Sequence, residues 1–299
     1  MKTIRSGLYK FLFPIILSGF ILSFDSCNIS SENNSETVKL KPQLKACSFN
    51  IRYDNPADAP NQWENRKASV VNFLTIEDPD LIGLQEVLAH QLEYMKSRLT
   101  QYETVGVGRE DGITAGEFTP VFYKRERFEL TDSGTFWLSE TPETPSLGWD
   151  ARIKRICTYV FLQDKQSGEP LHFYNTHFSH VGPSARTESM KLIMDSIRAK
   201  SSGMRTILTG DFNAEPDSEP YKIAVTEGFL DSYTSDIRLG PVGTSNGFNT
   251  TGPFDRRIDY ILFKGFNSEY YYCGSILIKS NFLSDHFPVI SLLEYRAVE

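Results

Sequence analysis

Apolar positions along this chain recur with two periods, and the switches between them mark out elements. The first strand-like run covers residues 45–51, and a second, 81–86, is a short apolar stretch ending in the carboxylate of Glu86. Between them Trp63, Val70, Val71 and Leu74 recur at helical spacing, with Asn61 placed to cap a helix from about Gln62 and Asp78-Pro79-Asp80 to stop it. A second helix is predicted over 88–99, leading into 102–108. From Pro120 the pattern becomes strand-rich, at 121–123, 128–130, 134–138, 156–162 and 171–177, interrupted by a loop at 139–149 that holds Pro142, Pro145 and Gly148. Ser184 is placed to cap a third helix, whose buried face carries Met190, Ile193, Met194 and Ile197. A strand over 206–213, a short helix over 220–227 and strands at 258–263, 270–278 and 287–295 complete the chain. Early and late strand sets, each interleaved with helices, predict an α/β fold with two sheets face to face and helices outside. A single doubly wound parallel sheet is the alternative, and consecutive strands joined without helices weigh against it.

The first 43 residues lie outside this patterning. Lys2, Arg5 and Lys10 precede an apolar run at 11–24, broken by Pro14, which is short for a bilayer span and suits a signal-peptide core. Ser26-Cys27 then resembles the processing site of a bacterial lipoprotein, with Cys27 as the lipidated first residue of the mature chain. Residues 28–36 are almost all Ser, Asn and Glu, a composition that buries too little apolar surface to order itself. The expected organisation is therefore a signal peptide (1–26), a lipidated tether (27–43) and one folded domain (44–299), on an exported protein held to a bacterial envelope membrane by its lipid alone. With 299 residues, 40% hydrophobic and 23% charged, the chain suffices for a large globular domain. Its formal charge of −7 would become −9 on losing Lys2, Arg5, Lys10 and Asp25, which disfavours a binder attracted to nucleic acid by its overall field. Cys47, Cys157 and Cys273 are too widely spaced for a disulfide or zinc pattern and read as buried thiols.

Chemistry concentrates where apolar strands run out. Thr209-Gly210-Asp211-Phe212-Asn213 puts a carboxylate and a carboxamide two residues apart, on one face if the segment stays extended, although an Asx-turn explains the same residues. Asn50, Glu86, His177, Asp259, and Asp285 with His286 also fall at strand ends. Singly, Asn50 could cap a turn, Glu86 suit a helix start, Asp259 pair with Arg256 or Arg257, and His177 sit satisfied in the core. Strand ends on one side of a sheet converge, so a single shared site is the more economical reading.

At these residues the sequence resembles the endonuclease/exonuclease/phosphatase superfamily of metal-dependent phosphoesterases. Six blocks in order carry the resemblance: Ser48-Phe49-Asn50, Leu84-Gln85-Glu86, Asn175-Thr176-His177, Gly210-Asp211-Phe212-Asn213, Arg257-Ile258-Asp259-Tyr260 and Ser284-Asp285-His286-Phe287-Pro288. The resemblance implies a four-layer αββα sandwich with its site at one edge of the paired mixed sheets. It also implies that His286 is the base, with Asp259 fixing its tautomer, that Asp211 and Asn213 position the attacking water, and that His177 holds a nonbridging oxygen. Phosphate-ester hydrolysis needs charge neutralisation, and Glu86, Asn50 and Asp285 offer hard oxygen ligands suited to Mg²⁺ or Mn²⁺.

Arg155, His180, Arg186 and Arg257, or Arg256 beside it, are placed to contact substrate, and Arg52, Asp54 and Trp63 to border the pocket. His90 and His172 are assigned to structure.

The expected function is hydrolysis of a phosphoester: a small phosphodiester, sugar phosphate, lipid head group or nucleic acid. No dense Lys/Arg cluster tracks a nucleic-acid backbone, so a phosphodiesterase or phosphatase is favoured over a nuclease of the DNase type. A surface binding protein that has lost its chemistry would lack the base, its partner or the metal carboxylate, and none is missing. A serine esterase built on Ser284-Asp285-His286 fails because adjacent residues cannot form the relay. The chain is expected to act as a monomer, without a protein partner.

Overall fold

The computed structural model describes residues 42–201, 203–278 and 281–296. The expected signal peptide and lipidated Cys27 lie outside the described residues, as does the expected tether apart from Pro42 and Gln43, of which Gln43 already belongs to the first strand. In chain order the elements are β1 (Gln43–Asn50), α1 (Trp63–Glu77), β2 (Leu81–Gln85), α2 (Ala89–Arg98), β3 (Tyr102–Val105), β4 (Val121–Lys124), β5 (Phe128–Trp137), β6 (Ile156–Asp164) and β7 (Pro170–His177). There follow α3 (Pro183–Ser201), β8 (Arg205–Asp211), α4 (Glu219–Thr226), β9 (Leu230–Asp231), β10 (Ile237–Leu239), β11 (Asp259–Lys264), β12 (Phe266–Cys273), β13 (Leu277–Ile278), β14 (Asn281–Phe282) and β15 (Val289–Tyr295).

Two mixed sheets result, ordered β10-β12-β15-β1-β2-β4-β3 and β5-β6-β7-β8-β11-β9, with β13 and β14 as a separate hairpin. Between them lies a core that takes Leu44, Ala46, Leu81 and Val121 from the first sheet and Val160, Phe173, Ile207 and Ile261 from the second. The other face of the first sheet packs Cys47, Phe49, Ile82 and Leu84 against Val70, Leu74 and Met95 of α1 and α2. The other face of the second packs Tyr174, Leu208 and Tyr260 against Met190, Ile193 and Ala224 of α3 and α4. The central strands are thus covered on both faces, which is why β1, β2, β7 and β8 read as nearly continuous apolar runs. This is the four-layer αββα arrangement. Among the described residues no helix is long and apolar enough to cross a membrane.

A polar seam joins the sheets below one edge. Asn175 of β7 donates through Nδ2 to the carbonyls of Leu84 (2.8 Å) and Pro120 (3.0 Å), and its Oδ1 accepts from Gln85 Nε2 (2.7 Å) and Thr209 Oγ1 (3.1 Å). Gly83 makes room for it, since a Cβ there would stand 2.2 Å from Thr209 Oγ1 and 2.5 Å from Asn175 Oδ1. At the opposite end Arg127 ties the layers together, pairing with Asp80 at 2.8 Å and Asp164 at 2.7 Å and donating to Gln43 O.

Several local expectations are corrected. Asn61 does not cap α1: Gln62 takes that position without a side-chain bond, and Asn61 Oδ1 is buried without a partner. Ser184 lies inside α3, whose free amides are met from across the fold by Asp150, which accepts from Ala185 N (2.6 Å) and Ser184 N (3.3 Å). Residues 128–130 and 134–137 belong to one strand, which ends before Leu138 and carries a bulge between Leu130 and Asp132. The run at 270–278 splits, because β12 ends at Cys273 and Leu277–Ile278 pair with β14.

Candidate active site

One edge of the paired sheets gathers the ends of strands from both. β1 delivers Asn50 and β2 leads into Glu86, while β7 and β8, parallel and in register, place His177 opposite Asp211. β11 runs antiparallel to β8 and begins at the same edge, so Asp259 also faces Asp211. Asp285 and His286 precede β15. Three residues that follow these strand ends take left-handed backbone, Arg52 (φ 58°), Glu86 (φ 60°) and Asn213 (φ 49°), a conformation costly for side chains other than Gly and concentrated at functional sites. Asn213 therefore reaches the site by a turn, not by the extended i, i+2 geometry, and its amide donates to Asp211 Oδ1 (2.9 Å).

Asn50 bridges the sheets, its Nδ2 donating to Glu86 Oε1 (3.1 Å) and Asp211 Oδ2 (3.0 Å). His286 Nδ1 lies 2.8 Å from Asp259 Oδ2, which also accepts from Thr244 Oγ1 (2.6 Å). Carboxylate and imidazole ligand atoms of Asp211, Asp259 and His286 fall within 4.8 Å of one another, all buried. Burial, and then Asp259, push the Asp211 carboxyl up to about 7, with His286 opposing the rise. Burial alone would pull His286 down, but Asp259 and Asp211 raise it well above the ordinary imidazole value.

His177 behaves in the opposite sense. Burial first, then the Arg155 and Arg109 charges, hold it well below its ordinary value, so it is neutral. Arg155 Nη1 donates to His177 Nδ1 (2.9 Å), and a guanidinium can only donate. That places the ring proton on Nε2, which stands 3.4 Å from the acceptor Asp211 Oδ2; Asn213 Nδ2, itself a donor, lies 3.1 Å from Nε2 and donates to Phe178 O instead.

His177, Asp211, Asn213 and His286 line a cleft of about 500 Å³ together with Arg52, Arg109, Glu117, Ile153, Arg155, His180, Ser245 and Arg256, with Asn50 and Asp259 buried behind them. Glu86 and Asp285 face it with Arg52 between them, at 3.9 and 3.5 Å. Burial raises the Asp285 carboxyl, with His286 opposing and Glu86 adding to the rise. Two partly exposed carboxylates, with Arg52 the one guanidinium beside them among the described residues and that at long range, form a donor set that suits a hard divalent cation; Asn50 turns its Nδ2 to Glu86, and its Oδ1 accepts from Arg52 N (3.0 Å).

Arg155 and His180 stand in the cleft as expected. Arg257 does not: it is buried against Asp231 (2.7 Å) and under Tyr233 and Tyr260, and its neighbour Arg256 lines the cleft instead. Arg186 donates to Ser179 O and lines an adjoining depression with Arg256, not the cleft. Trp63 is a core residue packed edge-on against Tyr94, and Asp54 pairs with exposed His90 at 3.0 Å. The 139–149 loop folds back on itself through Ser139 and Ser146 and stays out of the cleft, which the segment after it and the β3–β4 connection line instead. His172, stacked on Phe161 and bonded to Ser201, is structural. Sequence reasoning missed Arg109, Glu117 and Thr244, none of which interrupts an apolar run.

The family model for the Endonuclease/Exonuclease/phosphatase family matches residues 47–286, and the chain belongs to that family of phosphoester hydrolases. A family member from Bacteroides thetaiotaomicron is 34% identical, with 86% of this chain and 96% of that one covered at a TM-score of 0.83. A mannosyl-6-phosphatase of the same organism is also 34% identical, over 84% of this chain and 100% of that one, at a TM-score of 0.80. Uncharacterized protein L388 of Acanthamoeba polyphaga mimivirus is 25% identical over 252 residues, 78% of this chain and 92% of that protein.

Proposed function

We propose that this protein is a divalent-metal-dependent hydrolase of small phosphoesters that attacks phosphorus directly with water. The observation that carries the reading is the buried His286–Asp259 pair facing Asp211, which Asn50 links to the Glu86 carboxylate. His286 Nε2 takes a proton from water as the new P–O bond forms, Asp259 holds the proton on Nδ1, and the bond to the leaving oxygen breaks with that oxygen taking up a proton. Asp211 and Asn213 orient the water. His177, neutral with its proton on Nε2, donates to a nonbridging oxygen whose charge grows in the transition state. Glu86, Asn50 and Asp285 would hold Mg²⁺ or Mn²⁺, which when bound supplies positive charge to the ester oxygens and offsets the carboxylates that keep His286 protonated.

A substrate small enough for the cleft, such as a sugar phosphate, is supported by the similarity to the mannosyl-6-phosphatase. The protein's net charge of −7 supports a small ester over a nucleic-acid backbone. We place the enzyme outside the cytoplasm, anchored through Cys27, on the strength of its first 27 residues. Globomycin, which blocks lipoprotein processing, should then halt maturation in the native host, and unchanged processing would remove the anchor.

The test is turnover of a panel of sugar phosphates, phosphoinositides, sphingomyelin, bis-p-nitrophenyl phosphate, RNA and plasmid DNA, with Mg²⁺ or Mn²⁺ and with EDTA. Chelator-sensitive hydrolysis of small esters, lost in His286→Ala, is the expected result. Cleavage confined to the polymers would overturn the substrate assignment, and turnover retained in His286→Ala would overturn the mechanism.

A further inference from the structure

The wall of the cleft behind His177 carries a buried charge that is only loosely paired. Arg155 is 5% exposed and lines the cleft. Its Nη1 and Nη2 donate to the ring nitrogens of His177 and His180, at 2.9 and 3.2 Å, and its Nε meets no partner. Neither imidazole can neutralise it. The nearest carboxylate, Glu117, stands 3.8 Å away and is already bound by Arg109 Nη1 at 2.6 Å. Arg109 also approaches Glu110 at 3.5 Å, but that carboxylate is partly exposed and shared with Lys154 at 3.2 Å. Arg155 thus meets Glu117 only at long range and as a shared partner, and the other carboxylates that act on it, Glu86 and Asp211, stand beyond ion-pairing distance across the cleft. A guanidinium held out of water with so loose a pairing is costly, and an anion from outside would offset that cost.

We propose that the Arg109–Glu117–Arg155 wall selects phosphomonoesters, holding the second negative charge that a terminal phosphate carries and a phosphodiester lacks. The proposal rests on the phosphoester reading above and narrows it to monoesters. A diester's second substituent would replace a charged oxygen with an alkoxy group, leaving Arg155 as poorly matched as it is in the empty cleft. Glu117 sets the size of the effect: it tethers Arg109 and cancels one of the two buried guanidinium charges, so the wall offers about one net charge, not two.

Two measurements on the purified protein with Mg²⁺ test this. The first compares kcat/KM for p-nitrophenyl phosphate and methyl p-nitrophenyl phosphate, which share a leaving group and differ by one charge. Wild type should favour the monoester, and Arg155→Gln should cut that ratio by about tenfold or more, the size expected for removing a partly buried charge within several ångströms of another. Arg155→Lys should restore much of the ratio. If Arg155 served only to position His177, its loss would slow both esters equally and leave the ratio unchanged, and that result overturns the proposal. The second measurement is inorganic phosphate affinity by calorimetry, which needs no turnover. Phosphate should bind more weakly to Arg155→Gln and more tightly to Glu117→Gln, shifts of opposite sign that loss of folding cannot mimic. Equal affinity in all three proteins would refute the wall while leaving metal-dependent hydrolysis intact, whereas failure of every ester with phosphate binding as expected would refute the hydrolytic reading alone.

Discussion

Replacing Asp211 by Asn should stabilise the metal-free protein while abolishing its activity. The native carboxyl is 1% exposed, and burial followed by Asp259 pushes its pKa from 3.8 up to about 7. Because the folded value is raised, this group's contribution is present in full below pH 3.8 and is lost as pH rises from there through about 7. Above that pH the ionised carboxylate costs the fold about 4 kcal/mol, from roughly three pKa units at about 1.4 kcal/mol each. The carboxamide escapes that cost but loses something: the bond from Asn50 Nδ2, 3.0 Å in the native site, becomes donor against donor, and His286 loses a favourable neighbour. Deducting about 1–2 kcal/mol for those losses leaves a gain of about 2 kcal/mol at pH 8 and a small deficit at pH 4. Urea unfolding in EDTA at both pH values reads the sign change directly, and with Mg²⁺ restored the variant should show no turnover where wild type does. A difference between the proteins that did not vary with pH, or a variant less stable at pH 8, would refute the electrostatic argument.

Other perturbations separate structure from chemistry. Gly83→Ala should destabilise the protein by about 3 kcal/mol or more in chemical denaturation, because its Cβ would meet Thr209 and Asn175 inside the seam, a severe case of overpacking. Arg127→Met leaves buried Asp164 without its cation, while Asp80 keeps Lys124 at 3.1 Å, and should cost about 3–5 kcal/mol, with kcat per folded molecule unchanged since the cluster lies at the other end of the sandwich. Cys47, Cys157 and Cys273 are free and buried, and burial raises each thiol well above its ordinary range. They should therefore resist Ellman's reagent in the native protein and react only on unfolding.

The layers were legible because β1, β2, β7 and β8 are covered on both faces, so each reads as an apolar run whose polar end stands out. Asn50, Glu86, His177 and Asp211 could be picked from the sequence for that reason, and their convergence follows from strands sharing an edge. Arg109 and Glu117 gave no such signal. They lie between Gly106 and Phe118, in a connection without periodicity, and look like surface charges until the fold turns them against Arg155. The choice between Arg256 and Arg257 also escaped the sequence, since it depends on Asp231 at the end of β9, a strand of two residues that no pattern marks. The same holds for α3, whose amides are met by Asp150 and not by the Ser beside them. A cap supplied from 35 residues away has no local spelling.

The seam at Gly83 and Asn175 works as a ruler between the two sheets. A strand advances about 3.3 Å per residue, so a slip of one position would carry a side chain farther than any hydrogen bond reaches. Asn50 meets Asp211 across that boundary at 3.0 Å, with one partner on each sheet. Lengthening β1 or β2 by one residue between seam and edge would therefore erase the site at a stroke, while insertions in the connections that line the cleft leave the ruler untouched. Descendants of this fold are free to change what they cleave through the 106–118 and 150–155 segments, and held to how they cleave it by a glycine that has no side chain at all.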